Sequence, residues 1–195
     1  MNEDFPKVTD NSALNFLNTS IVRNGKTVEL LKTPEDLQAW VASEAAGEER
    51  RYQLAYLSPF FDTLSDVHQV VDFRNRLYKK IDSFVRAEAS LMDIQQWLET
   101  ELNNRAFFIH LWKGRRVLVP EQKHMEGFKS LIFLSLSDLL LKDEWHTLSH
   151  CENPKCTLLF LNKTGRRKWC SMKICGNRKK VERYEKKQRA ENEDK

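Results

Sequence analysis

Four cysteines gathered in the last quarter of the chain constrain its fold more than any other feature. They are Cys151, Cys156, Cys170 and Cys175, in the spacing C-x4-C-x13-C-x4-C, and the 150 residues before them contain no cysteine. Two close pairs joined by a loop place four thiolates at the corners of a tetrahedron, the geometry of structural Zn²⁺ sites. No His or Asp lies between the first and the last cysteine, so the pattern offers no open catalytic position. We therefore predict one structural zinc ion per chain.

The cysteine segment, residues 151–195, is too short to form a stable apolar core without a metal or disulfides. A structural zinc site supplies about 10–16 kcal/mol of apparent binding free energy in modules of this kind. Disulfides are one alternative, which we disfavour because we expect a cytoplasmic chain and the other 150 residues lack cysteine. A redox switch that uses the same thiolates is the second alternative, and it is compatible with zinc.

The charge of the chain changes sign at the same place. Residues 151–195 carry 14 Lys and Arg against 6 Asp and Glu, a net charge of +8. The whole chain has 32 basic and 28 acidic residues, which leaves 18 and 22 for the first 150 residues, a net charge of −4. Two compositional shifts at one point favour a domain boundary there. We predict one domain over residues 1–148 and a second over 149–195.

The second domain has the charge pattern of a nucleic-acid-binding module. Between Lys163 and Arg189 there are 12 basic residues and two acidic ones, and such clustering favours phosphate contacts. Ile174, Val181 and Tyr184 are predicted to face the zinc core from a helix over residues 173–189. The predicted contacts to double-stranded DNA are Arg166, Arg167, Lys168, Lys173, Arg178, Lys179, Lys180, Arg183 and Lys187. A merely solvated basic helix and an RNA-binding or ribosome-associated role are the alternatives.

The first domain is predicted to be α+β and mainly helical, with two small β-hairpins. Residues 14–32 are predicted to form a hairpin around Asn24-Gly25, with Phe16-Leu17 in its first strand. The pair Thr33-Pro34 is typical of a helix start. The remaining predicted elements are a helix at 48–57, a helix from Val67 to Val85, a helix at 90–103, strands Phe107–Trp112 and Arg115–Val119, and a helix at 124–142.

One charged residue interrupts the apolar face of a predicted helix. Arg74 lies between Val70 and Leu77 on that face, and a buried guanidinium needs a partner. The partner is either a carboxylate of the chain or the carboxylate or phosphate of a small ligand. In the second case we expect a ligand site formed by Asn18, Thr19 and Arg74.

Neither catalysis nor a membrane location is expected from the sequence. No nucleophile elbow or phosphate-binding loop is present, and the five histidines are scattered along the chain. The most apolar stretch, residues 128–141, is interrupted by Ser and Asp and is shorter than the roughly 20 residues that cross a bilayer. We predict a cytoplasmic, non-enzymatic protein with no membrane partner.

Two segments resemble known families. The run from Cys170 to Arg178, Cys-Ser-Met-Lys-Ile-Cys-Gly-Asn-Arg, preceded by Arg-Arg-Lys-Trp, resembles the CGNR zinc finger. The runs Leu14–Thr19 and Thr33–Trp40 resemble the ABATE domain that precedes this finger. Asn15 in the first of these runs and Asn162 in the finger stand where Asp is expected. The resemblance implies a treble-clef zinc site made by the four cysteines, DNA binding, and a bacterial stress-induced transcriptional regulator with a ligand-binding N-terminal domain. A single small finger binds modestly, so a homodimer on DNA is also expected.

Overall fold

The protein has an α+β fold built from seven α-helices and three antiparallel hairpins within the part described by the computed structural model, residues 5–23, 25–177, 180, 181 and 184. The helices are α1 Ser12–Leu17, α2 Pro34–Glu44, α3 Glu48–Tyr56, α4 Ser58–Thr63, α5 His68–Val85, α6 Leu91–Asn103 and α7 Met125–Leu141. The strands are β1 Ser20–Arg23, β2 Lys26–Glu29, β3 Phe107–Trp112, β4 Arg115–Pro120, β5 Leu148–His150 and β6 Leu159–Leu161. Each strand pairs with its neighbour in sequence.

Local end signals place the helices close to their predicted positions. Thr33 caps α2, because its hydroxyl accepts a hydrogen bond from the Asp36 amide and the Asp36 carboxylate accepts one from the Thr33 amide. The same reciprocal arrangement joins Ser90 and Asp93 at the start of α6. Helices α3, α5 and α7 and the β3–β4 hairpin also confirm the predicted elements.

The predicted strand at Phe16-Leu17 is wrong, because these residues belong to α1. All six residues of α1 are buried, so the segment shows no polar face from which a helical period could be recognised. A short apolar run of this kind does not distinguish a buried helix from a strand. The hairpin itself begins only at Ser20. Helix α4 and the β5–β6 hairpin were not predicted.

Helix α7 forms the centre of the main core. The Phe128 ring meets Phe16 of α1 edge-on at 5.3 Å and Trp40 of α2 edge-on at 6.1 Å between ring centroids. The serines that interrupt its apolar sequence have structural partners. The Ser135 hydroxyl accepts a hydrogen bond from the Ala13 amide, and the Ser135 carbonyl accepts one from the Asn11 side chain at 2.6 Å. Both bonds fix the beginning of α1 against α7.

Strand β6 lies between two hydrophobic clusters. Leu159 and Leu161 belong to the main core around α7, whereas Leu158 and Phe160 belong to a second cluster that also contains the cysteines. We call this second cluster the zinc-side core; its buried members are Ile21, Leu30, Cys151, Leu158, Phe160, Cys170 and Cys175. Residues from the β1–β2 hairpin region thus pack directly on the cysteine segment. The division at residue 148 stays a prediction.

None of the helices in the described ranges combines the length and the apolar character that a bilayer crossing requires.

Candidate functional site

The four cysteine sulfurs form one compact cluster. All four Sγ atoms lie within 4.8 Å of one another, and those of Cys156 and Cys170 are 3.9 Å apart. Zn–S bonds of about 2.3 Å in a tetrahedron separate the sulfurs by about 3.8 Å. All four cysteines are free thiols, not disulfide-bonded. The sulfur positions therefore fit a tetrahedral zinc ion, and no two of these sulfurs are joined in a disulfide.

The first cysteine pair lies in the loop that connects β5 to β6. The pairing of His150 with Leu159 is followed by a hydrogen bond from the Cys151 amide to the Leu158 carbonyl at 3.2 Å. The buried Asn153 shapes the turn. Its carbonyl accepts a hydrogen bond from the Cys156 amide at 2.8 Å, and its side-chain oxygen accepts one from the Lys155 amide. The chain thereby returns so that both sulfurs face the same point.

In the second cysteine pair, Cys170 lies two residues before a short π-helical turn, Met172–Gly176, and Cys175 lies within that turn. The Ser171 hydroxyl accepts a hydrogen bond from the Ile174 amide, and the Ser171 carbonyl accepts one from the Cys175 amide, each at 3.0 Å. The Cys170 amide donates to the Cys151 sulfur at 3.4 Å, which links the two pairs. A cysteine turn on a hairpin combined with two cysteines at a helix start is the treble-clef arrangement that the resemblance implied.

Crowding of the sulfurs raises the pKa values of two of the four thiols. Hydrogen bonding to the Cys151 sulfur, together with burial, raises the pKa of Cys156 to about 12. Hydrogen bonds to the Cys151 and Cys156 sulfurs, and burial, also raise the pKa of Cys170. A divalent cation between the sulfurs reverses this preference, because coordinated thiols lose their protons. The cluster is thus suited to a cation and not to four isolated thiolates.

Comparisons with known families agree with this geometry. The CGNR zinc finger model matches residues 147–188. The ABATE model, whose description is "Putative stress-induced transcription regulator", matches residues 10–122, more than half of the chain. The chain belongs to the ABATE family. No curated protein sequence matches it.

This ABATE protein therefore carries a CGNR zinc finger, in which the four cysteines are placed to hold a single structural zinc ion. The two hydrogen-bonding residues that shape the site, Asn153 and Ser171, were not singled out from the sequence. Their signals were present: Asn-Pro between two cysteines favours a tight turn, and Ser before an apolar residue favours a helix cap.

The structure of the ABATE protein describes five of the nine predicted nucleic-acid contacts. Arg166, Lys168, Lys173 and Lys180 are exposed. The first two lie in the loop just before Cys170 and the third lies in the turn that holds Cys175. The remaining predicted contacts, Arg178, Lys179, Arg183 and Lys187, lie outside the described residues. Exposed cations thus flank the second cysteine pair on both sides.

Arg167 differs from its neighbours, because its guanidinium is bound to the finger. It donates to the carbonyl of Trp169 at 3.1 Å and to the carbonyl of Cys170. It also lies over the Phe160 ring, 4.6 Å from the centroid. The Arg167 amide donates to the Asn162 side chain at 3.0 Å. Arg167 therefore fastens the basic loop to the zinc-side core, a role that the sequence prediction did not give it.

Two apolar residues predicted to face the zinc core lie at the surface. Val181 is 55% exposed and Tyr184 is 65% exposed, whereas Ile174 packs against the zinc-side core as predicted. The helical spacing that placed all three on one face assumed that the zinc core extends as far as residue 184. Among the residues that the structure describes, Ile174 and Cys175 are the last ones in the zinc-side core.

The side chains of the predicted ligand site bind other parts of the chain. The Arg74 guanidinium forms two hydrogen bonds with the Glu29 carboxylate, at 2.6 and 2.5 Å, and a third with the Thr19 hydroxyl at 3.0 Å. The Asn18 side chain donates to the Leu159 carbonyl and accepts from the Leu159 amide, both at 2.9 Å. Arg74 thus has a carboxylate of its own chain, one of the two alternatives. The ligand role of Asn18, Thr19 and Arg74 stays a prediction, and their contacts favour a structural role.

Proposed function

We propose that this protein is a transcription regulator that binds duplex DNA through a basic surface organised by its zinc ion. The observation that supports this proposal is the position of the exposed cations relative to Cys170. Arg166 and Lys168 precede it in the loop, and Lys173 follows it in the turn. Coordination of Cys170 and Cys175 by one ion holds loop and turn together, so that the cations share one surface.

The physical basis is the attraction between fixed cations and the phosphate backbone. Each phosphate that a Lys or Arg neutralises releases a condensed counterion, so binding weakens steeply as salt increases. Arg167, which is tied to backbone carbonyls, holds the loop in position and adds its charge to the same surface. The proposed role is binding and not catalysis, and the finger is the part that contacts DNA.

A salt titration with charge variants tests the proposal. The dissociation constant for a random duplex is measured from 50 to 300 mM KCl. We expect a linear log–log dependence with a slope of about 0.9 per phosphate contact, and Arg166→Gln and Lys173→Gln should each reduce the slope by about one contact. Arg116→Gln is the matched control, because Arg116 is an exposed cation on β4. Affinity that does not depend on salt, or equal effects of all three variants, would contradict the proposal.

An RNA-binding role is the second candidate, and the exposure of Tyr184 favours it. Unpaired bases are recognised largely by stacking on aromatic side chains, and Tyr184 is 65% exposed while Trp169 is only partly buried. Competition between the duplex and a single-stranded RNA of equal length distinguishes the two roles. Preference for the RNA, together with a loss of that preference in Tyr184→Ala, would replace the DNA proposal with this one.

A further inference from the structure

A cleft of about 810 Å³ lies where the zinc finger meets the N-terminal elements. Its walls come from the segment before α1, from β1, from α2, from the loop between β5 and β6, and from the turn that holds Cys175. Clefts of about 300–1,000 Å³ are the usual size of small-molecule sites in proteins. The predicted ligand residues Asn18, Thr19 and Arg74 do not line this cleft.

The cleft has a cationic lining. Lys7, Arg23 and Lys173 approach it from three separate segments, and none of the lining residues in the described ranges is acidic. The Lys7 ammonium donates to the Ser43 carbonyl at 2.9 Å, a neutral partner that leaves the positive charge of the lysine uncompensated. Lys7 and Lys173 thus place two cations around one concave space, which attracts an anion more strongly than the same cations on a flat surface.

The cleft also has an apolar wall. Ile21, Leu158 and Ile174 line it, and all three belong to or pack against the zinc-side core. A fully hydrated inorganic anion gains nothing from such a wall, whereas the removal of an apolar group from water is favourable. We propose that this cleft binds a small organic anion that combines a carboxylate or phosphate head with an apolar body.

Binding at this position would connect the two parts of the chain. The head contacts Lys7 of the N-terminal elements and Lys173 of the finger, and the body covers Ile21 and Ile174. Cys156 also lines the cleft, and it is the one cysteine of the four that is not fully buried. An occupant therefore shields the most accessible zinc ligand and slows zinc loss.

Calorimetric titration of the zinc-loaded full chain tests the site with probes of defined chemistry. Decanoate and decyl phosphate carry both head and body, decanol lacks the charge, and acetate lacks the body. We expect decanoate or decyl phosphate to bind at least tenfold more tightly than decanol and acetate. The probe that binds more tightly shows whether the site prefers a carboxylate or a phosphate head. Lys7→Gln and Lys173→Gln should each weaken binding about tenfold, since a hydrogen bond to a charged group contributes about 1.5 kcal/mol.

Lys168→Gln is the control variant, because Lys168 is an exposed cation of the same finger and does not line the cleft. It should bind the probes as the parent does. In a second readout, the saturating probe should slow zinc transfer to a chromogenic chelator severalfold. Absence of binding by both anions, equal binding of decanol, indifference to both lysine variants or an unchanged zinc transfer rate would each overturn the proposal. No nucleic acid enters these assays, so their outcome is independent of the proposed DNA binding.

Discussion

At the scale of single residues, the pairing of Arg74 with Glu29 decides how the N-terminal part is held together. The Arg74 side chain is 2% exposed and the Glu29 side chain is 31% exposed. The guanidinium therefore depends on a carboxylate that reaches it from β2. A buried charge that loses its partner is strongly destabilising, even where the intact pair contributes little net stability. The pair also joins the β1–β2 hairpin to α5, and through it to the main core.

Removal of the carboxylate should be costly, and removal of both charges should cost less. We expect Glu29→Ala to lower the free energy of unfolding by about 3 kcal/mol, because the guanidinium stays buried without an anion. The double variant Arg74→Met/Glu29→Leu should recover part of this loss. Urea denaturation of the three proteins measures both effects. A Glu29→Ala variant as stable as the parent would show that an external anion or water replaces the carboxylate.

At the scale of secondary-structure elements, local signals in the sequence determine some boundaries and not others. The Thr33 cap predicts where α2 begins, since it involves only residues three positions apart, and the Ser90 cap of α6 has the same local form. Helix α1 offers no such contrast because every residue in it is buried. Strand β6 is equally ambiguous, since Leu158 to Leu161 face two different cores. An uninterrupted apolar run does not show which neighbour each side chain will meet.

The Asn18 clamp is an element-scale feature that the sequence does not reveal. Its amide group completes both backbone hydrogen bonds of Leu159, a residue 141 positions away. The Asn18 side chain thereby makes the hydrogen bonds to β6 that a neighbouring strand would otherwise make. No local pattern links two residues so far apart in the chain, which is why Asn18 was predicted as a ligand residue instead.

Asn18→Ala should therefore destabilise the protein and loosen β6. Both polar groups of Leu159 would be left buried without a partner, so we expect a loss of about 2 kcal/mol in the free energy of unfolding. The Leu159 amide should also exchange with solvent faster. Asn104→Ala is the matched control, because Asn104 is exposed at the end of α6 and bonds only within its own helix. Equal stability of the two variants would contradict the clamp.

At the scale of the whole molecule, the zinc finger and the N-terminal elements share a core. The cysteine spacing predicted the metal site because all four ligands lie within 25 residues, and the structure brings them together as expected. Composition suggested a separate module at the same place. Composition does not report that Ile21 and Leu30 are buried against Cys170 and Cys175 in one cluster. The sequence therefore predicts the four zinc ligands, but it does not predict how the finger packs against the N-terminal elements.

Zinc removal should for this reason affect residues far from the cysteines in sequence. Chelation is expected to increase amide exchange at Ile21 and Leu30 as well as at Leu158 and Phe160, because all four lose the cluster that buries them. Amides of α7, which belong to the main core, should keep their protection. Hydrogen exchange before and after chelation, with Cys170→Ser as a second way to remove the metal, measures the difference. Unchanged exchange at Ile21 and Leu30 would show that the finger folds independently.

The central claim is that zinc coordination by four cysteines organises a surface that binds duplex DNA. Its most direct test is the affinity for one duplex measured at 100 mM KCl with zinc-loaded protein, after chelation, and after zinc is restored. Loss of the ion frees the basic loop from the turn that carries Lys173, so we expect affinity to fall at least tenfold after chelation and to return with zinc. Equal affinity of the zinc-free and zinc-loaded proteins would contradict the claim.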